Sequence, residues 1–148
     1  FHHRGLHPER AESYGPTFRS FLEWGSALSG AAVAAASLAR EEWNARFAAV
    51  LADVDMIACP SMPFLPLPVA ALAPQARYEP AITAMIRFTG PFNFSGSPTL
   101  SLPSGFSAEG LPLSLQLVGR HRDEATLCRV GQAFEEAAPA ARRRPPYA

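Results

Sequence analysis

Residues 99–119, TLSLPSGFSAEGLPLSLQLVG, decide the fold class that we expect for this chain. Residues 99–102 predict a strand bounded by prolines, and residues 113–118 predict a second strand that is apolar throughout most of its length. Residues 107–110 between them have the composition of a turn. Because residues 113–118 are mostly apolar, we expect them to lie in a sheet that is covered on at least one face. Because predicted helices flank these strands, the pattern predicts α/β layering.

Two helices are predicted outside this strand pair. Residues 29–52 are rich in alanine, the best helix former. We expect this helix to bury one apolar face. The members of that face are Trp43, Phe47, Val50, Leu51 and Val54. A final helix is expected after Asp123, whose carboxylate would accept hydrogen bonds from free backbone N–H groups. Its predicted buried stripe is Leu127, Val130, Phe134 and Ala138.

The middle of the chain is dominated by proline. Residues 55–59 predict a short buried strand that Pro60 ends, and residues 60–112 contain ten of the 15 prolines. This density argues against a long helix, because proline lacks the backbone N–H that a helix interior needs. Only residues 81–88 leave room for a helical turn or two.

Composition excludes several kinds of chemistry. The chain has 148 residues, and all 13 of its basic residues are arginine, so it contains no lysine. A mechanism that needs a lysine base or a Schiff base is therefore excluded for this chain acting alone. The formal net charge is zero, which predicts neither a nucleic-acid partner nor an anionic membrane surface. No apolar run approaches the length of a membrane-spanning helix.

Cysteine usage and the chain start give two further expectations. Cys59 and Cys128 lack metal-binding or redox spacing, so we expect two buried free thiols and a cytoplasmic location, although a single disulfide stays open. The sequence begins with Phe1 rather than methionine, which leads us to expect a fragment of a longer polypeptide.

Local motifs alone predict no active site. Serines are concentrated in one stretch, but no G-x-S-x-G motif is present to expose an attacking hydroxyl. The candidate serines are Ser95, Ser97, Ser101 and Ser104. His3 and His7 have a helical metal-binding spacing, but the nearby Gly5 and Pro8 make a helix improbable there, so no metal site is predicted. His121 is interpreted as structural or solvent-facing.

Four motifs in order are more specific. N-x-x-G-x-P occupies residues 93–98, P-x-G-F residues 103–106, G-L-P residues 110–112 and Q-L-V-G residues 116–119. With this order and spacing, the chain resembles the C-terminal portion of amidase signature family enzymes. Upstream residues agree with the family as well. These are Tyr14-Gly15-Pro16, the alanine-rich helix with Arg40, and Asp55 to Pro60.

The resemblance implies a fold and an activity. The fold is α/β, the C-terminal part of the amidase signature fold, which has a mixed sheet with helices on both faces. Residues 1–148 would then be the C-terminal segment of one incomplete amidase domain, with residues 139–148 as an exposed tail. Family members cleave amides with a serine, a second serine in a cis peptide and a lysine. All three precede this segment, so we expect no catalytic residue here.

The resemblance also implies substrate contacts, which we assign to Ile86, Thr89, Phe92 and Asn93. For Asn93, a purely structural role in satisfying loop amides carries equal weight. In the glutamyl-tRNA amidotransferase subunit of this family, an aspartate stands three residues before the matching threonine and recognises the glutamine amine. Ile86 occupies that position and cannot pair with an ammonium, which favours an apolar or aryl amide. Ser114 departs from the glycine that the family commonly has before the L-Q-L-V-G strand.

The expected partners are a small-molecule amide and the missing N-terminal part of the same enzyme, and a homodimer is left open. No cofactor is expected. Two alternatives remain: an amidase-like binding subunit without catalysis, and a separate small structural domain. Gln116 alternates with Leu115 and Leu117, so we interpret it as a buried amide bonded to a neighbouring loop.

Overall fold

The sheet is built from three antiparallel strands, and its middle strand is the last in sequence. The computed structural model describes residues 9–72 and 75–138. The strands β1 (Ile57–Pro60), β2 (Thr99–Phe106) and β3 (Pro112–Val118) lie in the order β1-β3-β2. In the register, Cys59 of β1 and Ser101 of β2 both lie opposite Gln116 of β3. The predicted α/β class is confirmed, and the described strands of its sheet are all antiparallel.

Both predicted strands of the pair are confirmed, but β2 is longer than expected. It continues through Pro103 to Phe106, with a register shift between Pro103 and Gly105. A proline is tolerated here because β2 pairs with a described strand on one side only. Gly105 has a φ of 142°, a conformation that a side chain disfavours, so glycine is required at the irregularity.

The strand β1 differs from the prediction for residues 55–59. It begins at Ile57 and includes Pro60. Its residues alternate between half-buried and exposed, so the expectation of a buried strand was wrong. The short apolar run did not distinguish burial on two faces from burial on one.

Besides two 3-10 helices, Ala11–Ser13 and Ile86–Phe88, the described residues form six α-helices. They are α1 (Pro16–Ser26), α2 (Gly30–Asp53), α3 (Val69–Leu72), α4 (Gln75–Met85), α5 (Gly90–Ser95) and α6 (Glu124–Ala137). The structure thus confirms the alanine-rich helix and the final helix. However, α4 is longer than the one or two turns expected, because it continues past Pro80. Pro80 lacks a backbone N–H, so the helix loses one hydrogen bond at this position but does not end there.

The core lies between the sheet and α6. Leu102, Leu117 and Leu127 form a buried cluster. Half-buried side chains surround this cluster, namely those of Met56, Leu100, Leu115 and Phe134. Gly131 lets α6 approach β2, since a Cβ at this position would overlap the Leu100 side chain. Of the predicted stripe on α6, Val130 is 37% exposed and lies at the margin of the contact.

Two predictions about helix packing were wrong in part. Asp123 stands at the N-cap of α6, but its carboxylate accepts a hydrogen bond from the Thr126 hydroxyl at 2.6 Å instead of from a backbone N–H. On α2, Leu51 is buried and Phe47 half-buried, whereas Trp43, Val50 and Val54 of the predicted stripe are exposed.

The chain divides into two compact units, Phe1–Glu41 and Glu42–Ala148, and the site described below lies in the second. Among the helices of the described ranges, no single one is long and apolar enough to cross a membrane. Together, α1 and α2 meet that test by length and composition, as a pair with a sharp bend between them. The predicted tail at residues 139–148, and His2, His3 and His7, lie outside the described residues.

Candidate functional site

The four predicted substrate contacts lie on one short stretch, residues 86–93, which we call the wall segment. It begins with a 3-10 turn, Ile86–Phe88, and continues into α5. The Thr89 carbonyl joins the two, since it accepts hydrogen bonds from the backbone N–H groups of Phe92 and Asn93 at 3.2 and 3.0 Å. Gly96 ends α5 with a φ of 76°, the left-handed conformation that favours glycine at a helix end.

The side chains of the wall segment have different environments. Ile86 is 49% exposed, Asn93 is exposed and Thr89 is half-buried. Phe92 is buried, and its ring centroid lies 5.7 Å from that of Phe47 on α2. Ile86, Thr89 and Asn93 therefore have surface available to a ligand, whereas Phe92 packs inward. The assignment of all four as substrate contacts stays a prediction.

The wall segment is attached to the sheet by Gln116. This side chain is 3% exposed, and its Nε2 donates a hydrogen bond to the Phe88 carbonyl at 2.8 Å. The same nitrogen lies 3.5 Å from the Cys59 sulfur. The interpretation of Gln116 as a buried amide bonded to a neighbouring loop is confirmed.

Three serine hydroxyls connect the strands beside Gln116. Ser61 Oγ lies 2.9 Å from Ser114 Oγ and 3.3 Å from Ser101 Oγ, and Ser61 itself is buried. The backbone N–H of Ser61 also donates to the Ser114 carbonyl at 3.1 Å. The serine at position 114 therefore packs without conflict, because its hydroxyl has a partner. Hydroxyl partners are not bases, so these contacts do not activate a nucleophile.

A cavity of about 410 Å³ lies at the C-terminal end of α2. Its lining residues are Asn44, Phe47, Ala48, Leu51, Ala52, Ser95, Ser97, Arg120 and His121. Ser95 is buried, and its Oγ lies 3.0 Å from both the Phe92 carbonyl and Ser97 Oγ. His121 Nε2 lies 3.1 Å from the Ser95 carbonyl oxygen, so the imidazole contacts the backbone of this serine. The described geometry does not form a serine–histidine pair.

Arg120 holds the C-terminal end of α2 at this cavity. Its Nε and Nη2 donate to the carbonyls of Leu51 and Val54 at 2.8 and 2.9 Å. A cation is favourable here because the last carbonyls of a helix have no intrahelical donor and carry partial negative charge. Asp55 lies 3.8 Å from the same guanidinium and is 89% exposed, so this ion pair adds little.

A second cavity, of about 550 Å³, lies beside β1 and the start of β3. Its lining is mostly apolar and includes Cys59, Phe64 and Leu113.

Cys59 is half-buried and Cys128 exposed, and both are free thiols. The expectation of two buried thiols was therefore wrong, because Cys59 is only half-buried and Cys128 is exposed on α6. No three histidine, cysteine or acidic side chains approach closely enough to hold a metal ion within residues 9–72 and 75–138.

Sequence reasoning missed the role of Arg120 and the first cavity. Arg120 lies more than 60 positions from its carbonyl partners, so no local pattern indicates the contact. Likewise, no periodicity brings Asn44 and Phe47 beside Ser95 and His121. The wall segment does not contribute to the lining of either cavity described here.

Comparison with known proteins gives a consistent result. The family model described as Amidase matches residues 7–128. A putative amidase, AmiD of Mycobacterium bovis, is 35% identical over 145 residues, which are 97% of this chain and 30% of AmiD. A glutamyl-tRNA(Gln) amidotransferase subunit of Chloroflexus aurantiacus is 37% identical over 133 residues, 85% of this chain and 26% of that protein.

A solved structure is similar as well. The 6-aminohexanoate cyclic dimer hydrolase superposes with a TM-score of 0.77 at 26% identity, over 88% of this chain and 29% of that one. The chain thus spans about 30% of the length of the relatives that it matches.

Proposed function

Because the chain belongs to the amidase family, we propose that it is the C-terminal part of an enzyme that hydrolyses a carboxylic amide to an acid and ammonia or an amine. One observation carries the proposal. Nearly the whole chain, 97%, aligns with a putative amidase of which it covers only 30%. A match of this kind is what a segment of a longer enzyme gives.

Within that enzyme, we propose that this chain supplies sheet strands and a wall of the substrate pocket, while the nucleophile and its base come from residues upstream. The absence of lysine supports this division, since the family's base is a lysine. The hydroxyl contacts support it too. Ser61, Ser95 and Ser114 have hydroxyl or carbonyl partners and no basic group among those contacts.

The proposed contribution of this chain to the reaction is to position the substrate. An amide is attacked at its carbonyl carbon, and the rate depends strongly on holding that carbon in line with the nucleophile. The exposed Ile86 and Asn93 and the half-buried Thr89 would contact the acyl part of the substrate. Phe92, packed on Phe47, would fix the helix that carries Asn93.

The proposed substrate class is a neutral apolar or aryl amide. Ile86 carries no charge, so it offers no ion pair to the α-ammonium of glutamine. Its half-exposed side chain would contact an apolar acyl group. Glutamine is therefore expected to be the poorer substrate.

A direct test compares two substrates on two proteins. The complete protein that contains this sequence should hydrolyse a neutral aryl amide with a higher kcat/KM than glutamine, whereas residues 1–148 alone should hydrolyse neither. Hydrolysis by residues 1–148 alone would contradict the proposal. Binding of the amide by the complete protein without turnover would instead support an amidase-like binding subunit.

A variant sharpens the substrate assignment. Ile86→Asp in the complete protein should lower kcat/KM for the aryl amide about tenfold, because a carboxylate replaces an apolar contact. Val69→Asp is the matched control, since Val69 is 85% exposed and lies outside the wall segment. Equal activity of both variants would show that Ile86 does not contact the substrate.

A further inference from the structure

Gln116 is a buried polar side chain in the middle of the sheet. It lies in the centre of the middle strand, with Cys59 opposite on one side and Ser101 on the other. Its backbone is therefore held by the ladders of both neighbouring strands. A polar side chain at so buried a position is costly unless its groups are hydrogen-bonded.

The bond that Gln116 makes is directed at the wall segment. Its Nε2 donates to the carbonyl of Phe88, the residue directly before Thr89. Phe88 is 28 positions away in sequence, so this bond ties two distant parts of the chain together. The C-terminal end of α5 is held by a second hydrogen bond, between His121 Nε2 and the Ser95 carbonyl at 3.1 Å.

Between these two hydrogen bonds, the backbone hydrogen bonds of the wall segment join residues that are three or four positions apart. The Thr89 N–H donates to the Ile86 carbonyl, and the Phe92 and Asn93 N–H groups donate to Thr89. Such bonds give the turn and α5 their shape, but a helix of six residues is marginal without further contacts, so these bonds neither fix its distance from the sheet nor keep it closed by themselves. The amide of Gln116 supplies that restraint at the end of the segment where Ile86 and Thr89 lie.

We propose that Gln116 is a positioning residue, whose amide holds the wall segment at a fixed place over the sheet and thereby sets how well the acyl part of the substrate fits. This inference rests on the proposed function. Gln116 itself touches no substrate, so its effect is on binding. Loss of the bond lets Thr89 and its neighbours move, while the upstream nucleophile and base stay in place.

The experiment uses the complete protein, a neutral aryl amide and the variant Gln116→Met, which keeps the length of the side chain and removes the donor. KM should rise about tenfold with kcat within about twofold of the wild type. Gln132→Met is the matched control, because Gln132 lies on the exposed side of α6. It should leave both constants unchanged. A fall in kcat without a change in KM, or equal behaviour of the two variants, would overturn the proposal.

Amide hydrogen exchange gives a readout that does not depend on catalysis. The amides of Phe92, Asn93 and Gly96 should exchange about tenfold faster in Gln116→Met than in the wild type or in Gln132→Met. Should Gln116→Met fail to fold, Gln116→Asn keeps an amide that is one methylene too short to reach Phe88, and it should show the same changes. Unchanged exchange in the folded variant would overturn the inference.

The two measurements separate this inference from the proposed function. A wild-type protein that hydrolyses no amide contradicts the proposed function, whereas the exchange comparison still tests Gln116. Hydrolysis by the wild type, with KM and exchange unaffected in the variant, leaves the proposed function intact and overturns the role of Gln116.

Discussion

The helices α6 and α2 differ in what covers their apolar side chains. On α6, Leu127 is 3% exposed and packs on Leu102 and Leu117 of the sheet. On α2, Leu51 is the buried residue, whereas Val33 and Leu38 are 54% and 67% exposed. The N-terminal ten residues of α2, GAAVAAASLA, contain no charged residue. A helix that is apolar on all sides is usually a buried one.

The difference shows which apolar side chains are covered by other described residues and which are not. The sheet and α6 bury a common core, whose buried members are Leu102, Leu117 and Leu127. The exposed apolar side chains of α2 form no such core, and large exposed apolar patches mark contact surfaces. Leu127 of α6 is thus covered by the sheet, whereas Val33 and Leu38 of α2 stay exposed in the part of the chain that the structure describes.

The largest expected effect lies in the covered region. Leu127→Ala should lower the free energy of unfolding by about 3 kcal/mol, since it empties space between α6 and the sheet. The change in the free energy of unfolding is measured by urea denaturation of the wild type and the variant. Leu113→Ala is the control at a site on β3 that is 40% exposed, and it should cost less than about 1 kcal/mol. Equal costs would mean that the two sites are equally buried in solution.

The next effect lies where the loop after β3 meets the end of α2. Arg120→Met keeps most of the apolar stem but removes the donors to the Leu51 and Val54 carbonyls, and it should cost about 2 kcal/mol. Arg129→Met, at an exposed position of α6, should change stability by less than about 0.5 kcal/mol. If the Arg120 variant is as stable as the Arg129 variant, the contact with α2 contributes nothing.

A smaller effect is expected at the start of α6. Asp123→Ala removes the carboxylate that accepts the Thr126 hydroxyl and that lies at the positive end of the helix, at a cost of about 1 kcal/mol. Asp55→Ala removes an exposed carboxylate from the end of α2 and should cost less than about 0.5 kcal/mol. Thermal unfolding of both variants distinguishes them, and a larger loss at Asp55 would reverse the expected order.

The smallest effect concerns the turn between β2 and β3. A hydrogen bond from the Ser107 hydroxyl and one from the Glu109 backbone N–H hold the pKa of the Glu109 carboxyl below its usual value. Both bonds favour the charged form, so their contribution is present at neutral pH and is lost as the pH falls through the lowered pKa. Ser107→Ala should raise this pKa towards its usual value in an NMR titration. Ser104→Ala is the control, and an unchanged pKa in Ser107→Ala would contradict the assignment.

The elements that the sequence predicts well are those whose packing partner lies within the chain. In residues 113–117 leucine alternates with serine and glutamine, and the stripe on α6 has a helical period, so the contact between Leu117 and Leu127 follows from the pattern. Gln116 is a similar case, because alternation with leucine places it on the opposite face of β3.

The predictions that failed depend on long-range or local detail. The stripe on α2 has a helical period, but Trp43 and Val50 are exposed, and periodicity alone does not supply another element to cover them. The continuation of α4 past Pro80 and the donation from Thr126 to Asp123 depend on local geometry. The four substrate contacts come from family resemblance and stay predictions. The Gln116 bond places them beside the sheet without identifying a ligand.

The most direct test of the central claim maps the nucleophile in the native protein. A serine-reactive fluorophosphonate should label one serine of the active enzyme, and peptide mass mapping should place the label outside residues 1–148. Competition by a neutral aryl amide should slow the labelling. A label within this chain, on Ser95, Ser97, Ser101 or Ser104, would contradict the proposal that the chemistry resides upstream and that this chain supplies the sheet and the pocket wall.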